Sequence, residues 1–222
     1  NNRLQEVYVV DKEEKGKLKE LSFKQLALKG VSHRFSYQQE TLSKIDLTIH
    51  KGEKIALMGK SGSGKTTLAK MLSGYYTKSS GHVTLDKDAI GHAELRQMVT
   101  YVPQQTYVFT GTILENLMLG FEGEVDEKEL LKVCQQADIL KDIQKMPLGF
   151  QTQVSEDGGL SGGQKQIVAL AGVMVDESPI LLFDEPLANL DPASGMKTMA
   201  LIDRIQKELN ATVIIIEHRL EE

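Results

Sequence analysis

A glycine-rich segment in the first third of the chain has the residue types and spacing of a phosphate-binding loop. It consists of Gly59, Lys60, Ser61, Gly62, Ser63, Gly64, Lys65 and Thr66, and it fits G-x-x-x-x-G-K-[ST] at every position. Glycines let backbone N–H groups converge on phosphate oxygens, and the positive end of a following helix points at the same charge. We therefore expect Lys65 to pair with the β- and γ-phosphates of a nucleotide and the Thr66 hydroxyl to ligate Mg²⁺.

The sequence on both sides of this loop provides the context that such a motif requires. The short apolar run 55–58 precedes the loop, and a helical pattern at 67–72 follows it. The alternative is a loop rich in Gly and Ser that binds nothing. Because a strand and a helix flank the motif in the required order, the sequence favours the phosphate site.

A second group of reactive side chains follows the apolar run 180–183. Asp184 and Glu185 are adjacent carboxylates at the end of this predicted strand, where neighbouring side chains point in different directions. We expect Asp184 to hold Mg²⁺ through its hydration shell and Glu185 to orient or deprotonate an attacking water. A solvated acidic turn is the alternative. The presence of a phosphate loop in the same chain favours the catalytic interpretation of Asp184 and Glu185.

Three short apolar runs are predicted to bring these groups to one edge of a sheet. The runs 55–58, 180–183 and 213–216 are typical of parallel strands buried on both faces, and each is followed by polar residues. Open parallel sheets bind ligands at the carboxyl ends of their strands.

Two other segments have regular patterns. Apolar and polar residues alternate over 26–49, which predicts antiparallel strands. Apolar residues recur at helical spacing over 126–146, which predicts a helix with Cys134 on its buried face.

Composition excludes several classes of protein. The chain has 222 residues, 41% of them hydrophobic, and its 31 acidic against 26 basic side chains give no electrostatic case for binding nucleic acid. The longest apolar runs are far shorter than the roughly 18 residues that span a bilayer. A single cysteine cannot form an internal disulfide. We expect a cytosolic, reduced domain.

The pentapeptide Leu160-Ser161-Gly162-Gly163-Gln164 resembles the signature of ATP-binding-cassette (ABC) ATPases, and the resemblance extends over about residues 22–222. It implies an α/β fold with a RecA-like P-loop NTPase core, an N-terminal antiparallel β subdomain and an inserted α-helical subdomain at about 105–163. Residues 1–21 would be a linker. Ser161 is expected to cap the helix that begins at the signature.

The resemblance also assigns roles to individual residues. Nucleotide contacts are assigned to Tyr37, Gly59, Ser61, Gly62, Ser63, Gly64, Lys65, Thr66, Thr67, Ser161, Gly162, Gly163, Gln164 and Asp191. Catalytic roles are assigned to Lys65, Gln104, Glu185 and His218, and Mg²⁺ contacts to Thr66, Gln104 and Asp184. Within this set, Tyr37 stacks on adenine, His218 contacts the γ-phosphate, and Asp191 belongs to a loop that crosses a dimer interface.

The function implied by the resemblance is Mg²⁺-dependent hydrolysis of ATP in a head-to-tail homodimer, with no nucleic-acid partner. In that dimer the signature docks on the nucleotide of the other subunit. A transmembrane partner would contact the region 104–109 at the cytoplasmic side of the membrane. The aromatic residues Tyr101, Tyr107 and Phe109 favour partner contact and simple core packing equally. Two other functions remain open: an ABC ATPase that acts on DNA or the ribosome, and a chimeric or engineered domain that binds ATP with little turnover.

Two parts of the chain resemble different lineages of the family. Residues 1–157 resemble peptidase-containing exporters of bacteriocins and competence peptides, whereas the sequence from Ile167 onward resembles ATPases of energy-coupling-factor vitamin importers. A chimera joined between about Glu156 and Gln166 is one interpretation, and a divergent natural protein is the other. Family members continue beyond the position of His218, so we expect part of the family's fold to lie outside this chain and an apolar surface to be left uncovered.

Overall fold

In the computed structural model, residues 16–36, 40–104, 107–119, 126–176, 178–188 and 190–218 are described, with the side chains of Asp176 and His218 excepted. The strands are Gln25–Arg34 (β1), Glu40–His50 (β2), Lys54–Gly59 (β3), Ser80–Leu85 (β4), Asp88–Ala89 (β5), Val99–Val102 (β6), Gly111–Thr112 (β7), Gln153–Val154 (β8), Ile180–Asp184 (β9) and Thr212–His218 (β10). The helices are Lys65–Leu72 (α1), His92–Met98 (α2), Ile113–Leu117 (α3), Glu127–Gln136 (α4), Leu140–Lys145 (α5), Gly162–Asp176 (α6) and Pro192–Leu209 (α7).

Two four-stranded sheets and one two-stranded sheet account for these strands. The parallel sheet has the order β3, β10, β9, β6, and the antiparallel sheet has the order β2, β1, β4, β5. The predicted antiparallel strands over 26–49 are confirmed, since β1 and β2 pair with each other. Strands β7 and β8 form a separate pair, and β7 contacts helix α3. The expected α/β fold, with a parallel core, an antiparallel sheet and a helical insertion, is therefore present.

The parallel sheet lies between two hydrophobic cores. Successive residues of a strand point to opposite faces, so Leu181 and Phe183 belong to one core while Ile180 and Leu182 belong to the other. The first core also contains α6, α7 and the helices of the insertion, whereas the second contains α1, α2 and the antiparallel sheet. Burial on both faces prevents β9 and β10 from shifting relative to the helices.

One of the three predicted buried strands differs from the expectation. The runs 180–183 and 213–216 are buried on both faces, as predicted. The run 55–58 is not: β3 is at the edge of its sheet, its residues alternate between partly buried and exposed, and Met58 is 63% exposed. Ile55 and Leu57 pack on the second core, whereas no described element covers the opposite face. An unbroken apolar run does not reveal whether a strand is central or at an edge.

The helical segment predicted over 126–146 is divided in two. Asp138 adopts a left-handed backbone conformation with φ of 61°, and this residue separates α4 from α5. Asp126 caps α4 by accepting a hydrogen bond from the Lys128 N–H. The apolar spacing continues across the break, which explains why the sequence pattern suggested one helix. In the described residues, no helix is long and apolar enough to cross a membrane.

The last residues of the predicted linker lie against α2. The N–H groups of Lys17 and Leu18 donate to Glu94 Oε1 at 3.2 Å and to Gln97 Oε1 at 3.0 Å. Residues 1–15 lie outside the described part of the chain. Lys17 and Leu18 are thus held on the helix that leads directly into β6.

Cys134 provides a test of the first core. Its side chain is completely buried, and burial raises the pKa of the thiol to about 11, so very little thiolate exists near neutral pH. We expect the folded protein to react with a thiol reagent many times more slowly than the unfolded protein, in which the single cysteine is accessible. Labelling rates measured with and without denaturant check this. Equal rates would mean that the helices around Cys134 open readily.

Candidate active site

The carboxyl ends of three parallel strands meet at one edge of the sheet. His218 of β10 is opposite Gly59 at the end of β3, and Ile216 of β10 is opposite Asp184 at the end of β9. The chain then turns away from the sheet, and the Glu185 N–H donates to the Ile216 carbonyl at 2.9 Å. The register therefore brings the phosphate loop, the acidic pair and the backbone of His218 together, as the sequence pattern predicted.

The loop 59–66 is folded around the Lys65 side chain. The Lys65 ammonium donates to the carbonyls of Gly59 at 2.7 Å and Lys60 at 2.9 Å, so the charge is held inside the curve of the loop. Gly62 and Gly64 have positive φ angles of 75° and 92°. A Cβ at Gly64 would also be 3.0 Å from the Thr41 carbonyl, so both backbone conformation and space require glycine there.

Helix α1 presents an uncapped N-terminus at the end of this loop. Gly64 is its N-cap residue and offers no side-chain hydrogen bond, and no acidic residue is in the first turn. Ser61, Ser63 and Thr66 are exposed, while Lys65 and Thr67 are partly buried. Free N–H groups, the positive end of the helix and the Lys65 charge face one solvent-accessible position, which suits a phosphate group.

The two carboxylates after β9 have different surroundings. Asp184 is only 4% exposed, and its Oδ2 accepts a hydrogen bond from the Tyr101 hydroxyl at 2.7 Å. Its Oδ1 is buried without a hydrogen-bond partner among the described residues. Glu185 is partly exposed and adopts the left-handed conformation, with φ of 52°. This uncommon conformation directs the chain out of the sheet immediately after Asp184.

The donor set fits a magnesium ion that is shared with a nucleotide. An unpartnered buried carboxylate oxygen is costly unless a cation or donor approaches it, and Asp184 Oδ1 is such an oxygen. The exposed Thr66 hydroxyl begins α1 next to the same strand ends. Oxygen ligands of this kind are those that Mg²⁺ prefers. Gln104 follows β6 and is exposed, which leaves its side chain accessible for the predicted contact.

The signature segment forms the start of α6 through a reciprocal pair of hydrogen bonds. Ser161 Oγ accepts from the Gln164 N–H at 3.3 Å, and Gln164 Oε1 accepts from the Ser161 N–H at 3.0 Å, which confirms the predicted cap. The amide of Gln164 also donates to Asp142 Oδ2 of α5 at 3.1 Å. Helix α6 packs against α3, α4 and α7, whereas α1 packs on the sheets and α2. The two predicted phosphate-binding elements thus belong to different parts of the fold.

Asp191 caps helix α7. Its Oδ1 accepts from the N–H groups of Ala193 at 3.0 Å and Ser194 at 3.1 Å, and Oδ2 accepts from the Ser194 hydroxyl at 2.5 Å. The hydrogen bond from the Ser194 hydroxyl, followed by that from its N–H, lowers the pKa of Asp191. Two other predictions, Tyr37 and the His218 side chain, lie outside the described residues.

Two residues near the site were not assigned a role there from the sequence. The sequence indicates only core packing or partner contact for Tyr101, yet its hydroxyl donates to Asp184; burial, and then this hydrogen bond, raises the pKa of Tyr101. Asp142 had no predicted role and holds the signature glutamine. Both contacts join residues that are far apart in the chain, so no local spacing signals them.

Simple core packing was one of the two interpretations of the aromatic residues after β6. It is wrong for Tyr107 and Phe109, which are 56% and 57% exposed.

Comparison with known proteins identifies the family. A family model described as "ABC transporter" matches residues 42–188, which is well over half of the chain. The chain belongs to the ABC transporter family. It is an ATP-binding domain of that family, whose members are ATPases.

Individual relatives of this ABC domain have names that refer to transport and to ATP binding. It is 42% identical over 228 residues to "Transport/processing ATP-binding protein ComA" of Streptococcus pneumoniae, covering 99% of this chain and 31% of ComA. It is 40% identical over 226 residues to "Lactococcin-A transport/processing ATP-binding protein LcnC" of Lactococcus lactis, with the same coverage. A "Putative ABC transporter ATP-binding protein" of Lactobacillus johnsonii is 46% identical over 210 residues, which cover 89% of this chain and 35% of that protein.

A solved structure agrees with the fold of this ABC domain. A chain described as "Structure of a bacterial Atm1-family ABC exporter with ATP bound" superposes with a TM-score of 0.80 and 30% sequence identity, covering 98% of this chain and 38% of the exporter chain. The chain spans about a third of the length of the curated relatives it matches. The comparisons thus concern one domain of longer proteins.

The position of the Lys65 ammonium makes a direct prediction for nucleotide binding. We expect Lys65→Ala to weaken ATP binding by roughly ten- to a hundredfold, because a hydrogen bond to a charged group contributes about 1.5–3 kcal/mol. Calorimetric titration with ATP measures this. Lys70→Ala is the matched control: it removes the same charge from the same helix, where the ammonium is 5.7 Å from the centre of the Tyr76 ring. Unchanged affinity in the Lys65 variant would remove this residue from the phosphate site.

Proposed function

We propose that this ABC domain hydrolyses Mg-ATP in a head-to-tail homodimer and thereby drives export of a peptide through a transmembrane partner. The dimer would work at the cytoplasmic side of the membrane. The observation that carries the catalytic part is the convergence of the phosphate loop with Asp184 and Glu185 at the ends of β3 and β9. These are the groups that phosphoryl transfer to water requires: phosphate ligands, a metal carboxylate and a residue that positions water.

Different residues of the chain have different roles in the proposed hydrolysis. Backbone N–H groups of the loop and the Lys65 ammonium would hold the β- and γ-phosphates, while the Thr66 hydroxyl, Gln104 and, through the metal's hydration shell, Asp184 would hold the magnesium ion. Magnesium, when bound, neutralises charge on the phosphate oxygens. Glu185 orients the attacking water or accepts its proton, and His218 contacts the γ-phosphate. Catalysis then consists of positioning and charge stabilisation without a covalent intermediate.

The two glycines of the signature support a shared active site. A Cβ added at Gly162 or Gly163 would meet no atom within 4 Å, and neither glycine has a positive φ angle. Glycine weakens a helix by about 0.5–1 kcal/mol relative to alanine, so no contact among the described residues favours two glycines in the first turn of α6. Open space above a helix N-terminus suits close approach of a phosphate group from a second subunit. Asp191, exposed at the start of α7, would lie at the same interface.

A groove beside β6 supports contact with a transmembrane partner. A cavity of about 400 Å³ is lined by residues that include Tyr75, Arg96, Tyr101, Tyr107 and Leu119. Tyr75, Tyr107 and Leu119 are each more than half exposed, as is nearby Phe109. Aromatic side chains around an open cavity are typical of interaction sites. The names of ComA and LcnC support a peptide as the exported cargo.

Two finer predictions belong with this proposal. The first concerns the bounds of the domain, with a linker at 1–21 and a helical subdomain at about 105–163. The second is that the chain joins an exporter lineage to an energy-coupling-factor lineage between about Glu156 and Gln166; the residue phrases on either side of the signature support it. If residues 1–156 and 167–222 prove closest to the same lineage when compared separately, the chimera is wrong.

Replacing Glu185 should separate binding from turnover. We expect Glu185→Gln to bind ATP normally and to lose nearly all hydrolysis, because the amide keeps the size of the side chain but cannot accept a proton from water. With Mg-ATP this variant should accumulate as a dimer in light scattering. Glu208→Gln, an exposed site on α7 with the same loss of charge, should behave like the parent protein. A Glu185 variant that stays monomeric with Mg-ATP would contradict the shared site.

The rate of hydrolysis should depend on protein concentration. If each site needs a signature from a second subunit, phosphate release per molecule should rise as the protein concentration is raised over about two decades, because weak association fills by mass action. Phosphate release from Mg-ATP measures this directly. A flat, near-zero rate with ATP still bound would instead support a domain that binds ATP with little turnover.

A further inference from the structure

Asp184 has one hydrogen-bonded oxygen and one that is not. The Tyr101 hydroxyl donates to Oδ2 at 2.7 Å, whereas Oδ1 is buried and has no hydrogen-bond partner among the described residues. The side chain as a whole is 4% exposed, so solvent does not substitute for the missing partner. A carboxylate has acceptor sites on both oxygens, and leaving one oxygen unbound in a buried position is unfavourable unless a ligand uses it.

The sheet explains why this tyrosine reaches this aspartate. Tyr101 of β6 is opposite Leu182 of β9, so it is one strand away from Asp184 and slightly before it along the sheet. Neighbouring strands are about 4.8 Å apart, a separation that a tyrosine ring spans when its side chain runs along the strand toward the carboxyl edge. The contact therefore depends on parallel pairing of β6 and β9 in this register, and a shift by one residue would remove it.

The Tyr101 ring is itself held in place. It packs edge-to-face against the Tyr75 ring, with centroids 6.0 Å apart and an interplanar angle of 68°. The same two rings line the cavity beside β6. A ring fixed by such a contact has little freedom to move its hydroxyl, so the hydrogen bond also restricts rotation of the Asp184 carboxylate. This restriction leaves Oδ1, and not Oδ2, available to a ligand.

We propose that Tyr101 is a positioning residue of the metal site, which holds Oδ2 of Asp184 so that Oδ1 is presented to the Mg²⁺ that accompanies ATP. The inference rests on the proposed function, in which Asp184 serves the metal. Tyr101 touches neither the metal nor the nucleotide and acts only through the carboxylate. Hydrogen-bond partners of metal ligands commonly change metal affinity by about 10- to 100-fold when they are removed.

The test compares nucleotide binding with and without the metal. ATP is titrated calorimetrically into the parent protein and into Tyr101→Phe, once in excess EDTA and once in excess Mg²⁺. We expect the variant to bind metal-free ATP with unchanged affinity and Mg-ATP about tenfold more weakly. Phenylalanine keeps the ring and its packing, so the fold is retained. Tyr75→Phe is the matched control: it removes a hydroxyl from the neighbouring ring and should change neither affinity.

A second variant separates positioning from a general structural effect. In an Asp184→Asn background, adding Tyr101→Phe should cause no further loss of Mg-ATP affinity, because the carboxylate that Tyr101 positions is already gone. Equal loss of both ATP affinities in Tyr101→Phe, or a full additional loss in the Asp184→Asn background, would overturn the proposal. If the parent protein itself binds ATP equally well with and without Mg²⁺, the metal site of the proposed function fails first, and the role of Tyr101 fails with it.

Discussion

The parallel register of β3, β10 and β9 is the constraint on which the rest of the site depends. It sets Gly59 opposite His218 and Asp184 opposite Ile216, and it thereby fixes where the phosphate loop begins and where the acidic pair leaves the sheet. Residues 180–183 and 213–216 are buried on both faces, so a slip of either strand would disrupt the packing of both cores. The hydrophobic cores on the two sides of the sheet therefore maintain the geometry of the site.

The site contains local features that are unfavourable on their own. Asp184 is a carboxyl group in an almost completely buried position, Glu185 has a left-handed backbone, and α1 begins without a side-chain cap. Each is costly for an isolated segment, and each is retained because the surrounding sheet and helices leave the chain no alternative. The unpartnered Oδ1 of Asp184 and the uncapped N-terminus of α1 lie at the same edge of the sheet. This combination is typical of a site that a charged ligand completes.

The signature helix connects two otherwise separate parts of the protein. At its start, Gln164 donates to Asp142 of α5, and two residues later Gln166 donates to the Pro186 carbonyl at 3.1 Å. The second contact reaches the turn that directly follows Glu185. A displacement of α6 would therefore move the signature and the acidic turn together. In the proposed dimer, this arrangement would connect the phosphate held by one subunit to the water-positioning residue of the other.

Local sequence was sufficient for the features that depend on local spacing. The phosphate loop, the strand before the acidic pair, the Ser161 cap and the antiparallel strands each follow from residue types a few positions apart, and the structure contains all of them. Local pattern failed where tertiary neighbours decide the outcome. An apolar run looks the same in a central strand and at an edge, and continuous helical spacing conceals the turn at Asp138. The hydrogen bonds of Tyr101 and Asp142 join distant segments, so only the folded sheet and the packed helices bring their partners within reach.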